Sequence, residues 1–248
     1  MEIGTHIDAV EEQGRALVEA AGKAGLPVVV PSCPEWDVRD LLAHLGAVHR
    51  WAATFVREGP AATAGGKHPP LATAPAEGLL EWYAEGHAAL VAALRAAPAD
   101  LECWTFLPAS SPLAFWARRQ AHETAIHRAD VEAALDTVPA YAPELAADGV
   151  DELLTCLYGG PGGRLLSDPP LSLRVRTDDV PGSWHVALGP ESRTITVGGD
   201  EPADCTIHGP AADVYLSLWN RRPASAPLVE GDAAVLRLWR EKATVLWR

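Results

Sequence analysis

The hydrophobic period of this sequence first changes near residue 160, from three or four residues to two, and this change constrains the fold more than any other feature. Before it, apolar residues recur every three or four positions, which is the spacing of amphipathic helices. After it, short segments alternate apolar and polar residues between turn residues, as strands do. The segment at the change, GGPGGRLLSDPP, is rich in glycine and proline. Since 248 residues suffice for two domains, we predict a helical domain over 1–158 and a small α+β domain over 159–248.

The first part contains four long stretches with the helical period. They span 5–24, 37–57, 76–97 and 112–136. Four amphipathic helices of this length predict a four-helix bundle, and a fifth helix is predicted over 143–158. The second helix has a clear start signal, because Asp37 can cap it and Asp40 follows in its first turn.

The second part alternates apolar and polar residues in the segments LSLRVRT, SWHVALG, RTITVGG and DCTIHG. Two helical segments follow, AADVYLSLWNRR and AAVLRLWREKATVLW. This order predicts an antiparallel sheet accompanied by helices, so the fold class of the whole chain is α+β.

Charge and composition narrow the range of partners. The net charge is −13, which disfavours nucleic acid and anionic membrane surfaces. No apolar run is long enough to span a membrane, and the acidic N-terminus does not look like a signal peptide. We therefore expect a cytoplasmic protein, a monomer or small homo-oligomer that acts on a small molecule.

The cysteines give no sign of a redox or zinc-ribbon motif. They are widely separated and none forms a CxxC pair: Cys33, Cys103, Cys156 and Cys205. Isolated buried thiols are the simplest interpretation.

Two polar residues fall on the apolar stripe of the fourth helix. Glu123 and His127 lie four residues apart, so their side chains project from nearly the same side. The stripe comprises Leu113, Trp116, Gln120, Glu123, His127, Val131 and Ala134. Burying a carboxylate and an imidazole costs free energy unless each finds a partner. A metal ion satisfies both, and a buried pair without metal is the alternative.

The neighbouring His122 does not complete a protease motif. The segment HETAIH resembles HExxH with one extra residue, so His122 and His127 are five positions apart and point in different directions around the helix. We therefore reject a metalloprotease and place His122 on the flank of the site.

A third ligand must come from another helix, and spacing alone leaves two candidates. His44 lies close to the stripe of the second helix, and His87 lies on the stripe of the third. His49 is one residue off its stripe. Asp130, three residues after His127, could hold the other nitrogen of that ring, or it could be an ordinary solvated carboxylate.

At these residues the chain resembles a known family. The segments VPSCPEWDVRDLLAHLGAVHRWA and FWARRQAHETAIHRADVEAA resemble two motifs of the mycothiol-dependent maleylpyruvate isomerase family, a branch of the DinB-like metalloenzymes. The segments SWHVALGP, ADCTIHGPAADVYLSLWNRRP and VEGDAAVLRLWREK resemble its C-terminal domain. The resemblance covers nearly the whole chain, and it implies a DinB-like four-helix bundle followed by a domain similar to sterol carrier protein 2 (SCP2-like).

The resemblance also implies a metal site and a cosubstrate. The family holds a divalent metal, usually zinc, on two histidines and a glutamate, which here are His44, Glu123 and His127. His44 is thereby preferred over His87. Three protein ligands leave an open position, and in this family the implied occupant is the thiol of mycothiol, held as the nucleophilic thiolate.

Three functions are compatible with such a site. The leading one is a cis–trans isomerase of the maleylpyruvate type, in which the thiolate adds to a cis double bond, the resulting single bond rotates, and elimination gives the trans product. A mycothiol S-transferase acting on electrophiles is the first alternative. A non-catalytic metal- or ligand-binding protein is the second.

An unsaturated acid such as maleylpyruvate needs local positive charge on this acidic chain. Arginine suits carboxylates because it binds them with two hydrogen bonds. The candidates are Arg221, Arg222, Arg118 and Arg119, and ordinary surface ion pairs are their alternative role. Three tryptophans could form walls of the pocket or belong to the core: Trp36, Trp51 and Trp116.

Overall fold

The computed structural model describes residues 1–160, 163–199, 201–222 and 226–244. The chain divides into two compact units, Met1–Pro139 and Ala140–Arg248. The division precedes the boundary that we predict after residue 158, because the fifth helix belongs to the second unit.

The first unit consists mainly of four long helices, as predicted. They are α1 Ile3–Ala24, α2 Val38–Glu58, α3 Leu79–Ala96 and α4 Pro112–Ala133. Helix α1 packs against α3 and α4, and α2 packs against the same two helices. Aliphatic side chains fill the space between them, among them Leu17, Leu41, Leu45 and Val131. No helix in the described ranges is long and apolar enough to cross a membrane.

Helix α2 starts directly from a small hairpin that the sequence did not reveal. Its strands are β1 Val29–Val30 and β2 Cys33–Asp37. The Asp37 carboxylate accepts a hydrogen bond from the Asp40 amide at 2.9 Å, and the Asp40 carboxylate accepts one from the Asp37 amide at 3.1 Å. This capping box satisfies two amides at the helix start and confirms the predicted cap.

In its described residues, the second unit combines a sheet with three α-helices. Helix α5 is Pro143–Asp151 and continues as a π-helical turn, Glu152–Leu157. The strands are β3 Leu171–Thr177, β4 Gly182–Leu188, β5 Arg193–Val197, β6 Cys205–Gly209 and β7 Leu228–Gly231, and the later helices are α6 Ala211–Leu218 and α7 Ala233–Lys242.

The sheet has the strand order β5-β4-β3-β6-β7. Neighbouring strands run antiparallel, as predicted, except for the parallel pair β3 and β6. Alternate residues such as Val175, Val186 and Ile207 are fully buried, and polar residues occupy the positions between them. This alternation is the period of two that the sequence showed.

Candidate metal centre

Helices α2 and α4 bring the three predicted ligands together. The Nε2 atom of His127 lies 3.4 Å from Oε1 of Glu123, and Nε2 of His44 lies 3.8 Å from the same oxygen. The donor atoms of all three residues lie within 4.8 Å of one another. Glu123 and His127 meet because they are one turn apart on α4, and packing of α2 against α4 supplies His44.

The donor set fits a divalent cation. Two imidazole nitrogens and one carboxylate oxygen suit zinc, and also iron, nickel or manganese. The Nε2 atom of His44 is buried and forms no hydrogen bond within the described part of the chain. A buried nitrogen in that state costs free energy, and a metal ion facing it would remove that cost.

A buried arginine occupies the other oxygen of the glutamate. The Arg119 guanidinium donates to Oε2 of Glu123 at 2.9 Å, and Arg119 is only 1% exposed. Burial alone would raise the pKa of Glu123, but the neighbouring imidazoles of His127 and His44 and the charge of Arg119 hold that pKa well below its usual range. Glu123 is therefore a carboxylate, with Oε1 toward the two histidines.

A second carboxylate orients His127 from its other side. The Nδ1 atom of His127 lies 3.0 Å from Oδ2 of Asp130, and the hydroxyl of Ser32 donates to Oδ1 of Asp130. Burial opposes protonation of His127, yet hydrogen bonds with Asp130 and Glu123 raise its pKa to about 9. The proton held by Nδ1 points to Asp130, which leaves Nε2 as the atom that faces Glu123.

Weakening this orientation should weaken metal binding. We expect Asp130→Asn to lower zinc affinity by about 10- to 100-fold, the usual effect of removing the partner of a histidine ligand. Competition with a zinc chelator measures the change. The control is Asp8→Asn, since Asp8 is an exposed carboxylate that pairs with Arg95 in the same unit. Equal zinc affinities for the two variants would contradict an orienting role for Asp130.

The other histidines of the bundle make different contacts. The fully buried His49 lies 3.0 Å from the hydroxyl of Thr124. Burial is the main cause that lowers the pKa of His49 well below the usual value, and the neighbouring His87 adds to this effect. Nε2 of His87 donates a hydrogen bond to a backbone carbonyl of α1 at 2.9 Å. The ring of His122 packs against His6, with centroids 6.1 Å apart. None of these contacts joins a further histidine to the three candidate ligands.

The remaining arginine candidates have contacts of their own. Arg222 forms an ion pair with Asp213 in the second unit. Arg221 donates to the Trp219 carbonyl at 2.8 Å. Arg118 is half-buried on α4. A substrate-binding role for these residues stays a prediction.

Sequence analysis does not identify two contacts near the centre, those of Ser32 and Arg119. Ser32 lies 98 positions from Asp130, and no local pattern links a turn serine to a helix so far along the chain. The pairing of Arg119 with Glu123 has a sequence signal, since the two are four apart on one helix, and a substrate-binding role for Arg119 stays a prediction. Trp36 packs beside His44, with centroids 5.1 Å apart.

Taken together, the fold and the clustered ligands define a two-domain α+β protein with a candidate metal centre in its N-terminal helical bundle. Residues 7–132 match the family model described as the mycothiol maleylpyruvate isomerase N-terminal domain, and residues 144–238 match that of the MDMPI C-terminal domain. The chain belongs to the mycothiol-dependent maleylpyruvate isomerase family, as the sequence motifs predicted.

Solved structures agree with this fold. The crystal structure of the mycothiol-dependent maleylpyruvate isomerase is similar to the chain with a TM-score of 0.56 and 13% identity, over 93% of both chains. A histidine-to-alanine mutant of that enzyme gives a TM-score of 0.58 at 11% identity, again over 93% of both chains. No curated protein sequence matches the chain.

Proposed function

We propose that this protein is a zinc-dependent enzyme that uses mycothiol as its thiol cosubstrate. The observation that carries the proposal is the convergence of His44, Glu123 and His127, whose donor atoms lie within 4.8 Å of one another. The resemblance to the family implies metal ligands at these three positions. Membership of the family supports mycothiol as the thiol.

The residues of the chain would each have a distinct task. Asp130 fixes the ring of His127 so that Nε2 faces the centre. Arg119 holds Oε2 of Glu123 and leaves Oε1 for the metal. The side chain of His44 is 18% exposed, so the centre is not sealed from solvent. A zinc ion bound there would lower the pKa of a thiol and stabilise it as the thiolate.

The leading reaction is cis–trans isomerisation of the maleylpyruvate type. The sulfur of the cosubstrate adds to the conjugated cis double bond, the new single bond rotates, and elimination releases the trans product and the thiol. No atom is gained or lost, so the thiol is regenerated in each turnover.

An S-transferase reaction is the second candidate, and the arginine contacts favour it. Arg119 is engaged by Glu123 and Arg222 by Asp213, so these two guanidinium groups already have carboxylate partners within the chain. A neutral electrophile needs no such group. In this reaction the sulfur displaces a leaving group or opens a ring and stays attached to the product.

One assay separates the two reactions. Zinc-loaded protein is incubated with mycothiol and either maleylpyruvate or a panel of neutral electrophiles, and NMR follows the products while a thiol reagent counts free thiol. An isomerase forms the trans acid with free thiol unchanged, and a transferase consumes one thiol for each product. The control is His44→Ala at equal concentration. Absence of turnover with every compound by the zinc-loaded protein would contradict the proposed enzyme.

A further inference from the structure

A half-exposed stripe on α2 leads away from the candidate metal centre. It consists of His44, Val48 and Trp51, which are all partly exposed and are spaced four and three residues apart. This spacing puts them on one side of the helix. Trp51 therefore lies about 10 Å along the helix axis from His44, two turns further on.

The stripe ends at a cluster of aromatic rings. The ring of Trp51 lies 5.7 Å from that of Trp104 and 5.6 Å from that of Trp116, centroid to centroid, and Phe106 lies 5.4 Å from Trp104. Trp116 is fully buried, but the other three residues are partly exposed. The cluster thus presents partly exposed aromatic surface about two helical turns from His44 and is not buried core throughout.

A buried amide lies between the cluster and the metal ligands. Gln120 is four residues after Trp116 and three before Glu123, so it shares their face of α4. Side chains on a helix lean toward its N-terminus, which directs Gln120 toward Trp116. Gln120 is 2% exposed, and its Oε1 accepts no hydrogen bond within the described part of the chain. Because a buried acceptor without a donor is costly, a ligand donor is the natural partner.

We propose that Trp51, Trp104 and Gln120 form a subsite for the electrophile, and that the electrophile is a flat, uncharged, conjugated or aromatic molecule with a hydroxyl or N–H group. The inference rests on the proposed function in its S-transferase form, since it places an uncharged electrophile near a thiol-activating centre. The rings supply stacking surface, and the Gln120 oxygen accepts the donor of the ligand. A small dicarboxylate has neither an aromatic face to stack on the rings nor, when ionised, a donor for the Gln120 oxygen.

The test measures binding without thiol or turnover. Calorimetry compares 2-naphthol with 2-methoxynaphthalene, which is equally flat but lacks the donor, and with maleate, a small dianion. We expect 2-naphthol to bind about tenfold more tightly than its methyl ether, the effect of one hydrogen bond. Gln120→Met should abolish this difference while leaving the ether's affinity unchanged.

Variants of the rings complete the test. Trp51→Leu and Trp104→Leu should each lower the affinity for both naphthalenes at least about tenfold. The matched control Trp82→Leu should leave both affinities unchanged, because the ring of Trp82 stacks on Arg50 and is not part of the subsite. Equal effects of all three tryptophan variants, or tighter binding of maleate than of 2-naphthol, would overturn the subsite. If the protein binds the naphthalenes as expected but takes up no zinc when zinc is added, the proposed enzyme fails and the subsite stands, so the two failures are distinguishable.

Discussion

Replacing His127 with alanine should remove tight metal binding. We expect the wild-type protein to bind about one zinc ion per chain, and His127→Ala to lose at least about 100-fold in affinity, more than loss of a residue that only orients a ligand. The physical reason is that two donors remain, and two donors do not complete the set of three typical of a catalytic zinc site. Metal analysis after dialysis, followed by chelator competition, measures both quantities.

The control for this experiment is His87→Ala. His87 was the other histidine that helical spacing allowed as third ligand, but its Nε2 bonds the Val10 carbonyl. We expect this variant to keep its zinc. Full zinc occupancy in His127→Ala, or equal loss in the two variants, would refute the ligand assignment. Circular dichroism establishes that both variants are folded.

Replacing Glu123 with glutamine should destabilise the metal-free protein by about 3–5 kcal/mol, the usual cost of breaking a buried ion pair from one side. Arg119 is almost completely buried and donates to Glu123. Removal of the carboxylate charge leaves the guanidinium without that anion in a medium of low dielectric constant. Urea denaturation in the presence of EDTA gives the free energy of unfolding.

Two further variants isolate the role of the buried charge. Adding Arg119→Met to the glutamine variant should recover part of the lost stability, since the buried guanidinium charge is then removed. The control, Glu132→Gln, breaks a pair of the same spacing on the same helix, at 2.6 Å from Arg128. That pair is partly exposed, so we expect a loss of at most about 1 kcal/mol. If Glu123→Gln lowers the free energy of unfolding no more than Glu132→Gln does, the buried pair does not stabilise the bundle as proposed.

Local patterns predicted most of the fold. The helical period located α1 to α4 because each helix buries one stripe of its own residues, and the period of two located β3 to β6 for the same reason. The local sequence of a strand does not specify which distant strand it pairs with. The parallel pairing of β3 with β6 and the short strands β1 and β2 were therefore found only in the structure.

The same distinction applies to the site. Glu123 and His127 are neighbours on one helix, so their spacing sufficed to pair them. The third position depends on how α2 packs against α4, and spacing left His44 and His87 open until the family motif favoured His44. The subsite amide Gln120 was noted only as a member of the apolar stripe, because its lack of a donor is a property of the packed bundle.

The hydrogen bond from Ser32 to Asp130 has a consequence for how the chain tolerates change. Surface hairpins normally accept insertions and deletions freely. Here the turn between β1 and β2 carries the serine that holds the carboxylate behind His127. We therefore expect a change in the length of this hairpin to displace Ser32 from Asp130 and to disturb the candidate ligand His127, even where the hairpin's own residues face solvent.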